Sequence, residues 1–289
     1  MSFMRGYFMN LVIVGDLHIK YTAPTFRKET YFQELKDKIN QINIIAKENN
    51  AKVLCLGDFF NSYVEDYFEL IIYELADMIY GWQSLIGNHD CKSVDGNLKG
   101  TSFGVLVQMD TIKIPTCDSF DYFHYYNRNN FTGKSINQVA FIHDYIMPKG
   151  TKEKFEYKEC FENEYKLIFC GHYHYPFDLV VGRTRYINPG SLMRSTVKEL
   201  ELNRIPEVIL FNSDTLGVKH IPLKVKPLTE VSNTFEENKL DQTFESKFAD
   251  MLLETSIGGD NNDIINLLKR NNIEPSIISY IENKLKEVK

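Results

Sequence analysis

Short, unbroken apolar runs alternate along this chain with longer stretches in which apolar residues return every third or fourth position. Leu11 to Val14 and Val53 to Leu56 are two such runs, and Gln83 to Ile86, apolar only in its second half, reads as a third strand. Consecutive apolar residues over so short a length fit strands covered on both faces. Between them, Phe32, Leu35, Ile39, Ile42 and Ile45 predict a helix over 29–49. Phe68, Ile71, Ile72, Leu75 and Ile79 predict a second over 63–80. Strand, helix, strand, helix, strand is a layered α/β plan.

The pattern then changes. Residues 110–126 read as short strands, and 138–142, 165–170 and 185–187 as three more. Glu207 to Phe211 and Val218 to Val225 flank Asn212-Ser213-Asp214 and predict a hairpin. From Phe235 the spacing is helical and polar-rich, broken at Gly258-Gly259-Asp260-Asn261-Asn262. A boundary near Pro227 therefore divides an α/β region, 1–226, from a C-terminal helical region, 227–289. The apolar positions of the tail, such as Phe244, Phe248, Leu252, Ile264, Leu267, Ile277 and Ile281, fit either docking to a partner or packing on the core.

The 289 residues are 43% hydrophobic, enough for a large core, and the net charge of -6 argues against a general DNA-coating role. An acidic balance still permits a nucleic-acid enzyme, because a local basic groove or a bound dication supplies the attraction. No run of eighteen apolar residues occurs, so no membrane span is expected. The first apolar run ends at Asp16 and reads as a strand, not a signal peptide. The five cysteines are scattered without paired spacing, which points to a reducing, cytoplasmic compartment.

Each strand-like run ends in residues that carry chemistry. Asp16 and His18 stand in Gly-Asp-Leu-His, Asp58 in Leu-Gly-Asp, and Asn88, His89 and Asp90 in Ile-Gly-Asn-His-Asp. His143 closes Phe-Ile-His, and His172 and His174 stand in Cys-Gly-His-Tyr-His. Alternate residues leaving a strand point to the same side, so Asp16 and His18 reach one cation. A carboxylate on a neighbouring strand end, Asp58, bridges two cations about 3.5–4 Å apart. Asn88 adds a neutral oxygen, and three histidines add imidazole nitrogens. Mixed nitrogen and oxygen donors suit manganese, iron or zinc, and no cysteine belongs to the set, which excludes a structural zinc site. His89 is placed to serve the leaving oxygen, with Asp90 as its orienting carboxylate. Taken singly, each motif also has a plain structural reading; in this order, together, they do not. His124 and His220 fall outside the pattern and read as surface or loop histidines. Tyr122, Phe123, Tyr125 and Tyr126 read as strand packing ahead of a stacking platform for bases.

These motifs resemble the calcineurin-like metallophosphoesterase superfamily over residues 9 to 226. The resemblance implies a β-sandwich flanked by helices, with a dimetal site at the strand ends. It places Asp16, His18, Asp58 and His174 on one metal, and Asp58, Asn88, His143 and His172 on the other, with His89 catalytic. The protein serine/threonine phosphatase branch is disfavoured, because Gly57-Asp58-Phe59-Phe60-Asn61 lacks that branch's arginine and the third motif ends in Asp90. Tyr186-Ile187-Asn188-Pro189-Gly190-Ser191-Leu192-Met193-Arg194 is similar to the Pro-Gly-Ser-Leu-x-Arg segment of SbcD-type nucleases, as in bacteriophage recombination endonuclease subunits.

That similarity implies a manganese-dependent DNA exonuclease and endonuclease of recombination and repair, located in the cytoplasm (the host's, for a phage protein). It also implies an SbcC-like coiled-coil ATPase as partner and a homodimer formed through the helix over 63–80. Ser191, Arg194 and the amides around Gly190 are expected to receive a DNA phosphate. The alternative is a stand-alone small-molecule phosphodiesterase or phosphatase of the same superfamily.

Overall fold

The computed structural model describes residues 9–93, 95–151, 156–194 and 204–232. β1 (Asn10–Val14), α1 (Tyr31–Glu48), β2 (Ala51–Cys55), α2 (Phe68–Ile79) and β3 (Trp82–Ser84) follow the predicted order. α3 (Ser102–Gln108), β4 (Ile112–Lys113) and β5 (Asp121–Phe123) come next. Then follow a 3-10 helix (Tyr125–Asn130), β6 (Val139–His143), β7 (Ile146–Met147), β8 (Lys158–Glu159) and β9 (Leu167–Gly171). β10 (Phe177–Val181), β11 (Thr184–Asn188), β12 (Glu207–Asn212) and β13 (Gly217–Pro222) complete the strands. The helical region expected over 227–289 lies outside the described residues beyond position 232.

Two sheets form the body. One runs β13-β12-β1-β2-β3-β4, the other β10-β11-β9-β6-β5. β1 through β4 are mutually parallel, as are β5, β6, β9 and β11, while the β12–β13 hairpin and β10 supply antiparallel edges. The period-two alternation of each strand divides its side chains between layers. Leu11, Ile13, Leu54, Phe141, Phe169 and Phe211 form one buried cluster drawn from both sheets. Val12, Val14, Val53 and Cys55, on the other face of the first sheet, join Leu35, Ile39 and Ile42 of α1 and Ile71 and Leu75 of α2. On the outer face of the second sheet Ala140, Ile142, Ile168 and Cys170 pack with Tyr186. Strands covered on both faces are why the runs in the sequence are unbroken.

Several elements differ from the sequence pattern. α2 begins at Phe68 rather than Tyr63, because Tyr67 takes a left-handed conformation (φ 58) and residues before it form a loop. α3 is seven residues long, too short to show a helical period, and is capped by Thr101 Oγ1 accepting from Gly104 N at 2.9 Å. Tyr125 and Tyr126 belong to the 3-10 helix and not to a strand. His220 is on β13, where it contacts Glu207 of β12 and Asp178 of β10, each at 2.8 Å, and so ties an edge of one sheet to an edge of the other. No helix among the described residues is long and apolar enough to cross a membrane.

Phe141 stacks on Phe169 at 5.2 Å and meets Phe120 and Phe211 edge-on. Phe141→Ala is expected to lower unfolding stability by about 3–5 kcal/mol. Urea denaturation followed by the fluorescence of Trp82, the single tryptophan, measures it. A loss under about 1 kcal/mol would contradict a tightly packed joint between the sheets.

Candidate metal centre and active site

The parallel strands of both sheets deliver their carboxyl ends to one place. Asp16 and His18 follow β1, Asp58 follows β2, and Asn88 and His89 follow β3. His143 ends β6, and His172 and His174 follow β9. Beyond the strands, the first two loops run side by side: Leu17 N and His18 N donate to Asp58 O at 3.2 and 3.0 Å, and Ile19 N donates to Phe59 O at 3.0 Å. His18, Asp58 and His172 all have positive φ, at 47, 47 and 77°. Such conformations cost of order 1–3 kcal/mol each in non-glycine residues and gather at functional sites. Gly57 and Gly87 make room: a Cβ on the first would lie 2.3 Å from His143 Nδ1, and on the second 2.1 Å from Asp58 Oδ1.

All seven predicted ligands are brought together. The metal-binding atoms of Asp16, His18 and His174 lie within 4.8 Å of one another, as do those of Asp58, His143 and His172, and of His18, Asp58 and His89. Asp58 stands between the two groups, with Oδ2 3.8 Å from His18 Nε2 and Oδ1 3.4 Å from His143 Nε2. Asn88 Oδ1 is 3.2 Å from the same His143 nitrogen. His143 Nδ1 is 2.7 Å from Leu56 O, an acceptor only, so that nitrogen carries a proton and Nε2 faces the site.

Asp16 and Asp58 are both buried. Burial raises Asp16 to about 6 against the opposing pull of His143. Burial also acts on Asp58, but the charge of His143 and its hydrogen bond outweigh it and hold Asp58 well below the carboxylate range. His143 is driven to about 9: burial lowers it, and Asp58, then Asp16, more than reverse this. Burial depresses His18 to about 3.

The donor set fits divalent cations. Asp16 Oδ2, His18 Nδ1 and His172 Nδ1 are buried without a hydrogen-bond partner. His18 Nε2 and His174 Nε2 face each other at 2.9 Å. Orphaned acceptors and opposed ring nitrogens are costly in a folded protein and are what a cation satisfies. Residues 9–205 match the calcineurin-like phosphoesterase superfamily domain. The chain belongs to that superfamily.

No curated protein matches the chain by sequence. An archaeal phosphodiesterase of known structure is 16% identical, with a TM-score of 0.41, over 74% of this chain and 100% of that one. Vps29 from Entamoeba histolytica, solved with zinc, is 14% identical over 74% and 98%, with a TM-score of 0.31. The hypothetical protein PH1004 from Pyrococcus horikoshii is 15% identical over 81% and 93%, with a TM-score of 0.38.

In this phosphoesterase, three predicted roles take a different form. Asp90 is wholly buried and does not pair with His89. Its Oδ1 accepts from Phe59 N and Phe60 N at 2.9 and 3.1 Å, and its Oδ2 from Gly87 N at 2.9 Å. It pins the second and third motif loops together, while the group bonded to His89 Nδ1 is the Asn61 carbonyl, at 2.5 Å. Ser191 and Arg194 are only 3% and 2% exposed. Ser191 Oγ donates to Met193 O at 3.0 Å, and Arg194 Nη2 to Lys226 O at 2.6 Å. The amides around Gly190 are also engaged: Gly190 N on Asn188 Oδ1 at 2.7 Å, Ser191 N on His174 O at 3.0 Å and Leu192 N on Asp16 O at 2.8 Å. The segment braces the first and last motifs from within and does not offer these groups to a phosphate. His124, finally, is buried and accepts from Ile86 N at 3.0 Å just before Gly87, with burial lowering it to about 4.

Sequence reasoning missed the orienting groups. The carbonyls of Leu56 and Asn61 are backbone atoms and carry no residue signal. Tyr145 packs edge-on to His172 at 5.0 Å, and Tyr125 lies 6.1 Å from the same ring, under the guanidinium of Arg128. Their one sequence cue is proximity to His143 and to the aromatic run after β5.

Because Asp58 serves both groups of donors, Asp58→Ala is expected to abolish binding of both divalent ions, and His174→Ala to weaken chiefly one. Calorimetric titration with manganese on each variant reads the stoichiometry. Two ions retained by Asp58→Ala would show that it does not bridge.

Proposed function

We propose that this phosphoesterase is a manganese-dependent DNA nuclease, acting as exonuclease and endonuclease in recombination and repair as the nuclease subunit of an SbcCD-like complex. The observation that carries the hydrolytic part is the convergence of seven donor side chains beside a histidine whose Nδ1 is already engaged. Cations held by Asp16, His18, Asp58, Asn88, His143, His172 and His174 would offset the charge of the phosphate's non-bridging oxygens and strengthen water as a nucleophile. Mixed nitrogen and oxygen donors support manganese.

The rest is done by the chain. A water oxygen bonds to phosphorus as the bond to the leaving sugar oxygen breaks, giving a phosphomonoester and a free hydroxyl. The water loses a proton and the leaving oxygen gains one. The doubly protonated ring of His89 supplies the latter from Nε2 and keeps its Nδ1–H on Asn61 O. The Pro-Gly-Ser-Leu-x-Arg segment supports the SbcD-type branch, and half-buried tyrosines beside His172 suit a nucleobase flank. Exposed Tyr63, Tyr67, Leu70, Tyr73 and Tyr80, on and around α2, support the homodimer. A coiled-coil ATPase remains the partner proposed for the tail.

The second reading, a small-molecule phosphodiesterase, is favoured by the neutralised cations near the site. Arg128 and Lys158 both pair with Asp144, at 3.4 and 2.5 Å.

Manganese-dependent cleavage of linear duplex and single-stranded DNA, with and without the ATPase, tests the first reading. His89→Ala is expected to lower the rate about 10²–10⁴-fold with metal content unchanged. Turnover of a small phosphodiester without any DNA cleavage, even with the ATPase, would favour the second. Sedimentation should give two chains per particle; a monomer at micromolar concentration would remove the dimer.

A further inference from the structure

One buried carboxylate beside the site plays no part in the arrangement above. Glu65 follows the second motif, and its Oε1 accepts the amide of Ser62 at 2.5 Å. Its own amide donates to Ser102 Oγ at 2.9 Å, which anchors the residue to the start of α3. Burial pushes its carboxyl up to about 7, opposed by the Ser62 amide and by Lys20. A carboxylate kept in such surroundings has a structural cost; a lesser hydrogen bond reaches the Asn61 amide, and the principal one goes to a single peptide.

That peptide is the one that orients His89. The Ser62 N–H and the Asn61 C=O belong to the same planar trans unit, so they point in opposite directions. One end meets Glu65 and the other accepts His89 Nδ1–H at 2.5 Å. The preceding amides are fixed as well: Phe59 N and Phe60 N on Asp90, and Asn61 N on Ile19 O at 3.1 Å. The Asn61–Ser62 plane comes next, and Glu65 holds its N–H end. An acceptor at the N–H end also polarises the peptide and makes its carbonyl a stronger acceptor.

We propose that Glu65 is a positioning residue for His89, acting through the Asn61–Ser62 peptide. It rests on the reading of His89 as the group that serves the leaving oxygen, and it holds for any phosphodiester substrate.

Two thymidine 5′-phosphodiesters that differ only in the leaving group test it, one leaving as p-nitrophenolate and one as methanol. The first leaving group departs without help from a proton donor; the second does not. Glu65→Ala in the full chain is expected to lower kcat on the methyl ester about ten- to a hundred-fold with KM unchanged. On the p-nitrophenyl ester it should stay within about two-fold of wild type. Glu65→Gln, which keeps an oxygen for the Ser62 amide, should recover most of the loss. Equal loss on both esters, loss in KM alone, or no loss on either would overturn the proposal. Should the alanine variant fail to fold, Glu65→Asp, with the same charge on an arm one methylene shorter, is judged by the same outcomes. His89→Ala affecting both esters equally would overturn the role of His89 and this proposal with it. Selective loss in Glu65→Ala by a protein that leaves DNA intact would sustain the positioning role and discard the nuclease.

Discussion

Two carboxylates, Asp16 and Asp58, are taken out of water at the ends of adjacent parallel strands, within reach of one another's charge. An unpaired buried carboxylate is costly enough that the surrounding chain has to answer it. Here the answer comes from both sheets. Asp58 Oδ1 accepts from His89 N at 2.9 Å, and Asp16 Oδ1 accepts from His172 N at 3.0 Å. Asp16 thus holds the loop after β9 and Asp58 the loop after β3, so each carboxylate fixes the backbone that carries the other ligands. The hydrogen bond from His172 N to Asp16 joins one sheet to the other at this end, beside the phenylalanines packed between the layers. The same geometry leaves other lone pairs without partners, and divalent cations complete the balance.

The parts legible in the sequence were those encoded by side-chain type. Unbroken apolar runs gave the central strands, because a strand covered on both faces has no polar position to blur the pattern. The clustering of the candidate ligands is legible because Asp, His and Asn in this order after such runs have few structural uses. α3, β7, β8 and β10 were not legible, being short or half-exposed, so their periodicity is weak. The sequence pattern shows β12 and β13 as a hairpin but not as the edge of the first sheet, since pairing with β1 is set by tertiary contact. Asp90 departs from the sequence pattern for a related reason. Its position next to His89 suggested a partner, whereas adjacent residues on a turn diverge, and its carboxylate points back into the loop amides. Ser191 and Arg194 carry donors that suit a phosphate, but sequence cannot say which way they face. They face inward, where Arg204 Nη1 on Ser191 O at 2.6 Å, Lys38 Nζ on Leu192 O and Arg27 Nη1 on Arg194 O, both at 2.9 Å, bind the carbonyls of the segment.

The histidines show how the fold sets chemistry without adding catalytic side chains. His143 and His89 each meet a main-chain carbonyl through Nδ1, Leu56 O for one and Asn61 O for the other. A carbonyl accepts only, so both rings carry a proton on Nδ1, and Nε2 is the nitrogen that faces the site: bare in His143, where it can serve a cation, and protonated in His89 when it serves a leaving oxygen. Both carbonyls belong to the stretch around Asp58, the residue that separates the two donor groups. A single turn after β2 therefore supplies the central carboxylate and sets the tautomer of one histidine on each side of it. Gly57, at a φ of 109°, lets the chain pass close under the His143 ring, and the positive φ of Asp58 turns it back toward His89. Replacing either conformation would move a ligand and both orienting carbonyls at once. That is why the short Leu-Gly-Asp motif constrains so much more of the site than its one charged residue suggests.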